Sequence, residues 1–228
     1  MAATHTDSIY ENELARLRES LLVMGAKAEE ILGRAMQALT ARDPALARAA
    51  MALDEQIDQL EVRIDESALM ILARRQPVAS DLRLIATVLK MVTDLERVGD
   101  LGVNICERAV ELLAEPTLPE QSEIVSLSAD VSRMLHDALD AFARADAELA
   151  RDVLGRDHLV DASFARIFEV LVQRMMRGSE NIARATRLQS LARYLERIAD
   201  HATNVAEMVV FMVKGKDVRH TALAKPTK

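Results

Sequence analysis

The chain has 228 residues, of which half are hydrophobic, and a formal charge of −7. It contains only 7 glycines, 5 prolines, 4 phenylalanines and 2 tyrosines, so a β-sandwich, which needs a turn every ten residues or so, is excluded. The acidic balance argues against binding to a nucleic-acid backbone, which requires a basic face. Long helices remain, and we expect an all-α protein.

The compartment is indicated by three features of the sequence. The lone cysteine, Cys106, cannot form an internal disulfide, which fits a reducing environment. The first residues lack the apolar segment of a signal peptide, and the apolar run Met208–Val213 is too short to span a bilayer. We therefore expect a cytoplasmic protein that contacts the membrane only through its partners.

Apolar residues spaced by three and four positions predict three long helices before residue 114. The seam of the first helix consists of Leu14, Leu17, Leu21, Met24, Ala28, Ile31, Ala35 and Ala38. Asp43 and Pro44 end it and begin a second helix, with the aspartate as N-cap and the proline at the first helical position. The seam of the second helix, which ends at Pro77, consists of Leu53, Ile57, Leu60, Ile64 and Ile71. A third helix extends from Leu82 to Leu113.

The pattern starts again after the linker 114–119, which contains two prolines. A fourth helix carries a seam from Ile124 to Ala141, and a fifth runs from about Ala147 to Arg177. Gly178 and Ser179 then supply a stop and a new cap before the sixth helix. With helices near thirty residues each, we predict two tandem three-helix bundles, at residues 10–114 and 120–214, and a C-terminal tail at 215–228.

The two halves can be aligned directly. Asp43, Leu46, Ala47, Arg48, Asp54 and Asp58 match Asp146, Leu149, Ala150, Arg151, Asp157 and Asp161 at an offset of 103 residues. Leu95, Glu96, Arg97, Asp100, Asn104 and Glu107 match Leu195, Glu196, Arg197, Asp200, Asn204 and Glu207 at an offset of 100 residues. Helical periodicity repeats apolar character but not particular polar residues, so this pattern indicates an internal duplication.

Acidic and amide side chains form a stripe on the third helix of each repeat. The stripes consist of Glu96, Asp100, Asn104 and Glu107 in the first repeat and of Glu196, Asp200, Asn204 and Glu207 in the second. Each stripe falls within an arc of roughly 80° between the buried and the solvent side of its helix, and we expect it to face another helix. The middle helices add two pairs one turn apart, which are Asp54 with Asp58 and Asp157 with Asp161.

Two interpretations of these acids stay open. Like charges one turn apart repel by a few tenths of a kcal/mol, so the repeated pairs call for positive charge. Carboxylate and amide oxygens suit Mg²⁺, Mn²⁺ or iron, and facing helices are where bundles build metal sites. Equally, the acids could form a solvated face paired with arginines such as Arg97 or Arg197. His201 is either a further ligand or a surface histidine, and Cys106 belongs to the core.

No catalytic motif is found in the sequence. It has neither a phosphate-binding glycine loop, nor a nucleophile with a base at plausible spacing, nor an HExxH motif. The enzyme alternative is a ferritin-like di-metal redox protein, which would use Glu-x-x-His from two helices of one four-helix bundle. This chain has no Glu-x-x-His, so that alternative ranks low. A purely structural helical scaffold is the other competing interpretation.

A family resemblance is carried by four segments. They are Tyr10–Leu14 leading to Met24 and Gly25, the stretch Gln76–Arg83, and the twin motifs Asp94–Asp100 and Leu195–Asn204. Together they resemble the PhoU family of phosphate-transport accessory and regulatory proteins, over about residues 10 to 214. The resemblance implies two symmetric three-helix bundles in the bacterial cytoplasm, often as a dimer.

The same resemblance implies a function. PhoU-like proteins are negative regulators of the phosphate-starvation response: they couple the ATPase subunit of the phosphate ABC transporter to a PhoR-type sensor kinase and restrain phosphate uptake. It also implies a multinuclear cluster of iron, zinc, manganese or magnesium on the acidic motifs. The positions carried over are Glu96, Asp100, Glu196, Asp200, Asp54, Asp58, Asp157 and Asp161, extended by Asn104, Glu107, Asn204 and Glu207.

Two positions depart from the usual motif. Ala199 stands in the second repeat where the family has glycine, and Leu101 stands in the first repeat where the family has histidine after the aspartate. The oxygen ligands survive both changes. If the histidine contributes to binding, the first site is the one whose occupancy is in doubt.

Overall fold

A computed structural model of the chain describes residues 2–218, with side chains from residue 8 onward. Its helices are α1 (Ala2–Ala41), α2 (Pro44–Met51), α3 (Asp54–Arg75), α4 (Ala79–Leu113), α5 (Gln121–Arg144), α6 (Ala147–Met176) and α7 (Ile182–Lys214), with a 3-10 turn at Ser179–Asn181. This range contains no strand, so the all-α prediction is confirmed. None of these helices is apolar over enough residues to cross a membrane. The predicted tail 215–228 lies outside the described residues from position 219 onward.

Helix starts are set by side-chain caps at equivalent positions of the two repeats. Asp43, as predicted, caps α2 by accepting a hydrogen bond from the Ala45 N–H at 2.8 Å. Asp146 caps α6 by accepting from the N–H groups of Glu148 and Leu149 at 2.9 and 3.0 Å. Backbone hydrogen bonds hold the pKa of Asp146 below its usual range. The caps satisfy amide groups that the first turn of a helix leaves unpaired.

The prediction of one continuous second helix in the first repeat is wrong. α2 ends after 8 residues, and α3 begins anew at Asp54 after a tight turn in which the Leu53 N–H bonds to the Ala50 carbonyl at 2.9 Å. The apolar spacing continues across this break without glycine or proline, so the pattern contains no sign of it. The turn redirects the chain so that Ile57 and Ile64 are buried where α3 packs against α1 and α4. The expected uniform length near thirty residues is also wrong, since α1 has 40 residues and α3 has 22.

α4 and α7 lie at the centre of the molecule. α4 packs against α1, α2 and α3, α7 packs against α5 and α6, and the two helices also pack against each other. Leu95 and Leu195, at equivalent positions, are both fully buried, and buried residues from all seven helices form one continuous core. Cys106 lies in this core, as predicted, and burial raises the pKa of its thiol to about 12. The two sequence repeats therefore share a single core.

Glycines allow α1 to pack closely against two other helices. A Cβ atom added to Gly102 on α4 would lie 2.3 Å from Cγ2 of Ile31 on α1. A Cβ atom added to Gly25 on α1 would lie 2.6 Å from Cδ2 of Leu139 on α5. Any side chain at these two positions would have to push the neighbouring helix or its side chains away.

The linker between the repeats is attached to both of them. The Arg42 guanidinium donates hydrogen bonds to the Leu113 carbonyl at 2.6 Å, the Glu115 carbonyl at 2.9 Å and Thr117 Oγ1 at 2.9 Å. Arg187 on α7 pairs with the Glu115 carboxylate at 2.6 Å. The turn between α4 and α5 is thereby fixed to Arg42, which directly follows α1, on one side and to α7 on the other.

A second set of polar contacts fastens the start of α1. Tyr10 donates its hydroxyl hydrogen to Asp81 Oδ2 at 3.0 Å, and burial together with this bond raises the pKa of Tyr10 to about 12. Glu13 accepts two hydrogen bonds from Arg75 at 2.9 and 3.1 Å. Tyr10 and Asp81 belong to the segments that carry the family resemblance, and the structure shows that they join α1 to the first turn of α4.

Substituting Gly102 by alanine should lower the free energy of unfolding. Overpacking costs about 1–3 kcal/mol, more than the ~1 kcal/mol that alanine gains over glycine within a helix. Gly33 on α1, which has nothing within 4 Å of an added Cβ, is the matched control, and Gly33→Ala should stabilise the protein. Urea denaturation of both variants measures the difference, and equal stabilisation by both would contradict the close packing of α1 on α4.

Candidate functional site

The first carboxylate cluster lies where α3 packs against α4. It consists of Asp54, Asp58 and Glu61 from α3 and Glu96 and Asp100 from α4. A Cβ atom on Gly99 would lie 3.0 Å from Asp54 Oδ1, so the absence of a side chain at position 99 lets Asp54 lie directly against α4. Burial, and then the charges of Asp58 and Asp100, raise the pKa of Asp54. The predicted convergence of the two acidic segments is present in the structure.

An arginine on the solvent side neutralises part of this cluster. Arg97 lies 3.3 Å from Glu96 and 3.1 Å from Asp100, as the interpretation of a paired acidic face predicted. Burial nevertheless raises the pKa of Glu96, and the nearby charge of Asp100 adds to the effect. Glu61 was not predicted, although it follows Asp58 by three residues and therefore lies on the same face; its pKa is raised by burial first.

The second carboxylate cluster lies where α6 packs against α7. It consists of Asp157 and Asp161 from α6 and Glu196 and Asp200 from α7. Asp157 accepts a hydrogen bond from the Thr203 hydroxyl at 3.2 Å, which partly offsets the rise of its pKa by burial and by the charge of Asp161. Burial likewise raises the pKa of Glu196 and of Asp200. The structure thus brings together both predicted acid pairs of the second repeat.

The second cluster has a different counter-ion from the one expected. Glu196 Oε1 pairs at 3.0 Å with Arg193, one turn earlier on α7, and its other oxygen, Oε2, is buried without a hydrogen-bond partner. Arg197, which the sequence suggested as the partner, makes a weaker contribution to lowering the pKa of Glu196 than Arg193 does. The two clusters therefore differ in how their charge is balanced.

The last two residues of each acidic stripe are not part of the two carboxylate clusters. They are Asn104 and Glu107 in the first repeat and Asn204 and Glu207 in the second. Asn204 donates a hydrogen bond to Asp94 Oδ1 at 2.9 Å, and Glu207 is buried beside the same cleft between α4 and α7. Glu107 lies 3.8 Å from Arg108, and Asn104 is half-buried on the same helix. The assignment of Asn104, Asn204, Glu107 and Glu207 as ligands stays a prediction.

A contact between the repeats was missed by the sequence analysis. His201 Nδ1 lies 2.8 Å from Asp94 Oδ1, so a residue of the second repeat pairs with one of the first. The duplication places Leu101 at the position of His201 and Tyr194 at the position of Asp94. Leucine and tyrosine cannot form such a pair. The histidine that distinguishes the second repeat from the first therefore makes a contact between α4 and α7 that the equivalent residues do not repeat.

The donor chemistry of both clusters fits a hard or borderline cation. Several of these carboxylates are partly buried and raise one another's pKa, and Oε2 of Glu196 is buried without a hydrogen-bond partner. A bound metal ion would supply the positive charge and the missing contact. Among residues 8–218, however, no group of three or more acidic, histidine or cysteine side chains is arranged so that it could hold a metal ion.

An aromatic pocket adjoins the second cluster only. It has a volume of about 530 Å³ and is lined by Phe164 and Phe168 on α6 and by Arg193 and Tyr194 on α7, among others. Arg193 lies over the Phe164 ring at 5.5 Å. By the offsets of the duplication, the first repeat has Glu61, Asp65, Thr93 and Asp94 at these four positions. The repeats therefore share their acids but differ at the four positions that line this pocket.

Comparison with known proteins settles the family. The family model described as the PhoU domain matches the chain twice, at residues 21–109 and 124–209. The chain belongs to the PhoU family. A PhoU homolog from Pseudomonas putida is 42% identical over 224 residues, which cover 98% of this chain and 88% of that protein. The PhoU protein of Escherichia coli is 36% identical over 216 residues, which cover 95% of this chain and 90% of that protein.

Solved PhoU structures have the same fold. The crystal structure of PhoU from Pseudomonas aeruginosa superposes with a TM-score of 0.88 at 42% identity, and covers 91% of this chain and 100% of its own. The crystal structure of the phosphate transport system regulatory protein PhoU from Streptococcus pneumoniae superposes with a TM-score of 0.84 at 26% identity, and covers 92% of this chain and 99% of its own. The resemblance inferred from sequence motifs is thereby confirmed across nearly the whole chain.

Replacing Asp157 by asparagine should stabilise the metal-free protein at neutral pH by a few tenths of a kcal/mol or more. Burial raises the folded-state pKa of Asp157 above the usual value of 3.8. The folded state therefore binds the proton more tightly, and ionisation lowers stability as pH rises. The gain should vanish below pH 3.8, where the carboxyl group is protonated in both states.

Thermal unfolding between pH 3 and 8 in the presence of a chelator measures this dependence. Asp152, an exposed acid on the same helix that pairs with Arg156 at 3.2 Å, supplies the matched control Asp152→Asn. The control should not stabilise the protein. A loss of stability at pH 7 in Asp157→Asn would show that the second cluster is not strained by its own charge.

Proposed function

We propose that this protein is a negative regulator of the phosphate-starvation response in the bacterial cytoplasm. It acts as an adaptor, as a homodimer, between the ATPase subunit of a phosphate ABC transporter and a PhoR-type sensor kinase, and it restrains phosphate uptake. The observation that carries the proposal is the match over nearly the full length to relatives named phosphate-specific transport system accessory protein. Two PhoU structures at TM-scores of 0.88 and 0.84 support the same assignment.

The proposed mechanism is binding without chemistry. A helical adaptor shifts the activity of a kinase or transporter only by binding one of its states more tightly than another. The outer faces of α3 and α6 carry exposed apolar residues, such as Val62 and Leu69 on α3 and Leu159 and Phe168 on α6. Long helix faces of this kind are suited to docking against the helices of a partner protein.

We further propose that the carboxylate clusters hold a multinuclear cluster of iron, zinc, manganese or magnesium. Asp54, Asp58, Glu96 and Asp100 would hold it in the first repeat, and Asp157, Asp161, Glu196 and Asp200 in the second. A bound cation supplies positive charge that offsets the repulsion between these acids. The acids of each cluster come from two helices, so their shared ligand would fix α3 on α4 and α6 on α7 in a form competent for docking.

Deleting the gene should raise an alkaline-phosphatase reporter of the phosphate-starvation response in phosphate-rich medium, because the sensor kinase loses its restraint. Reporter activity in the deletion strain, compared with the same strain carrying the gene on a plasmid, measures the effect. Reporter activity that stays repressed in the deletion strain would overturn the regulator assignment.

Changing Glu96, Asp100, Glu196 and Asp200 together to alanine should remove stoichiometric metal from protein purified without tag or chelator. Elemental analysis measures metal in both proteins before and after soaking with iron, manganese and zinc. A control in which the exposed acids Glu66, Glu148, Asp152 and Glu169 become alanine changes the net charge equally and should keep its metal. Absence of metal from the parent protein after soaking would exclude the metal and leave the clusters as a protein-docking surface.

A further inference from the structure

The structure makes the two carboxylate clusters unequal, although the duplication makes their acids equivalent. We propose that Arg193 acts as a built-in counter-ion of the second cluster, which makes that cluster the weaker site for a divalent cation and the first cluster the tighter one. The inference rests on the proposed cation binding and deepens it. It reverses the expectation from sequence alone, which doubted the first site because Leu101 replaces a histidine there.

The balance of charge is the first observation. The first cluster has five carboxylates, of which Glu61 has no acidic counterpart in the second repeat, and Arg97 is the arginine paired with them. The second cluster has four carboxylates, and two arginines, Arg193 and Arg197, oppose their charge. Since the affinity of an oxygen site for a divalent cation rises with its count of negative ligands, the first cluster attracts a cation more strongly.

The position of Arg193 is the second observation. Its guanidinium pairs with Glu196 Oε1 at 3.0 Å and lies over the Phe164 ring at 5.5 Å. Two contacts from different helices hold the positive charge at one end of the cluster. The first repeat has Thr93 at the position of Arg193 and Glu61 at the position of Phe164, so neither the charge nor the ring is present there.

A cation competes with an arginine at either cluster, but only at the second cluster is that arginine also held by an aromatic ring. A cation that takes Glu196 as a ligand must share it with Arg193 or displace the guanidinium from both Glu196 and Phe164. Arg97 and Arg193 are similarly exposed, at 53% and 56%, and each pairs with acids on its own helix. The difference is the Phe164 ring under Arg193, because the first repeat has Glu61 at the position of Phe164. The added cost at the second cluster therefore comes from the ring contact of Arg193.

A reciprocal exchange of residues tests this inference. Two double variants keep one cluster each. Glu196→Ala with Asp200→Ala keeps the first cluster, and Glu96→Ala with Asp100→Ala keeps the second cluster. Calorimetric titration with Mn²⁺ at low ionic strength measures the affinity of each. The first cluster should bind Mn²⁺ about tenfold more tightly or better. Adding Arg193→Thr should strengthen binding at the second cluster about tenfold, and adding Thr93→Arg should weaken binding at the first.

Two further variants separate this effect from general charge and from misfolding. Arg151→Thr removes a positive charge from α6, where Arg151 pairs with Glu148, and should leave Mn²⁺ binding nearly unchanged. Arg193→Lys keeps the charge but loses the planar group that stacks on Phe164, so its affinity should lie between those of the parent and Arg193→Thr. Thermal unfolding with chelator reports whether each variant is folded.

The outcomes are distinct. Equal affinities of the two clusters, or an Arg193→Thr variant that is less stable but binds Mn²⁺ as the parent does, would overturn the inference while leaving the proposed cation binding intact. Failure of both single-cluster proteins and of the parent to bind Mn²⁺ would overturn the inference and exclude manganese from the metals proposed, while elemental analysis decides on the other metals. The regulator assignment depends on the reporter assay and would survive either result.

Discussion

The packing of α4 against α7 is the constraint on which the rest of the structure depends. Each helix carries the buried centre of its own repeat on one side and contacts the other repeat on another side, so little of its circumference remains for polar residues. The acidic stripes occupy the narrow arc that is left, where α3 and α6 cover it. At these contacts Glu96, Asp100 and Glu196 are half-buried, whereas Asp200 is exposed.

Partial burial of ionised acids lowers the stability of the fold, and each repeat offsets this loss in a different way. Around Glu96 the charge is balanced from the solvent side by Arg97, and around Glu196 it is balanced by Arg193, which is held over an aromatic ring. Both arrangements leave carboxyl groups whose pKa is raised, so the protein lacking a bound cation stores electrostatic repulsion at both clusters. A fold held by a large shared core can tolerate that repulsion, whereas a small isolated bundle would lose much of its stability.

Local features of the sequence predicted most of the fold and part of the candidate site. Asp43 was recognisable as a cap, and the acid pairs were recognisable because a helix places residues four apart on one face. The break at Leu53 was not predictable, because the apolar spacing continues through it. The roles of Arg193 and Asp94 depend on contacts between helices, with Phe164 and with His201, that no local spacing encodes. Sequence periodicity identifies which face of a helix is buried, but not which helix covers it.

The shared core has a consequence for the origin of the molecule. A polypeptide consisting of the first repeat alone would expose the face of α4 that now packs on α7, including Leu89, which lines a cleft together with Met208 of α7. Such a polypeptide would pair with an identical copy through that face, which gives a symmetric dimer. Gene fusion would then have turned an interface between subunits into the interior of one chain. After fusion each half could change independently, which accounts for a histidine in one repeat that pairs with an aspartate in the other.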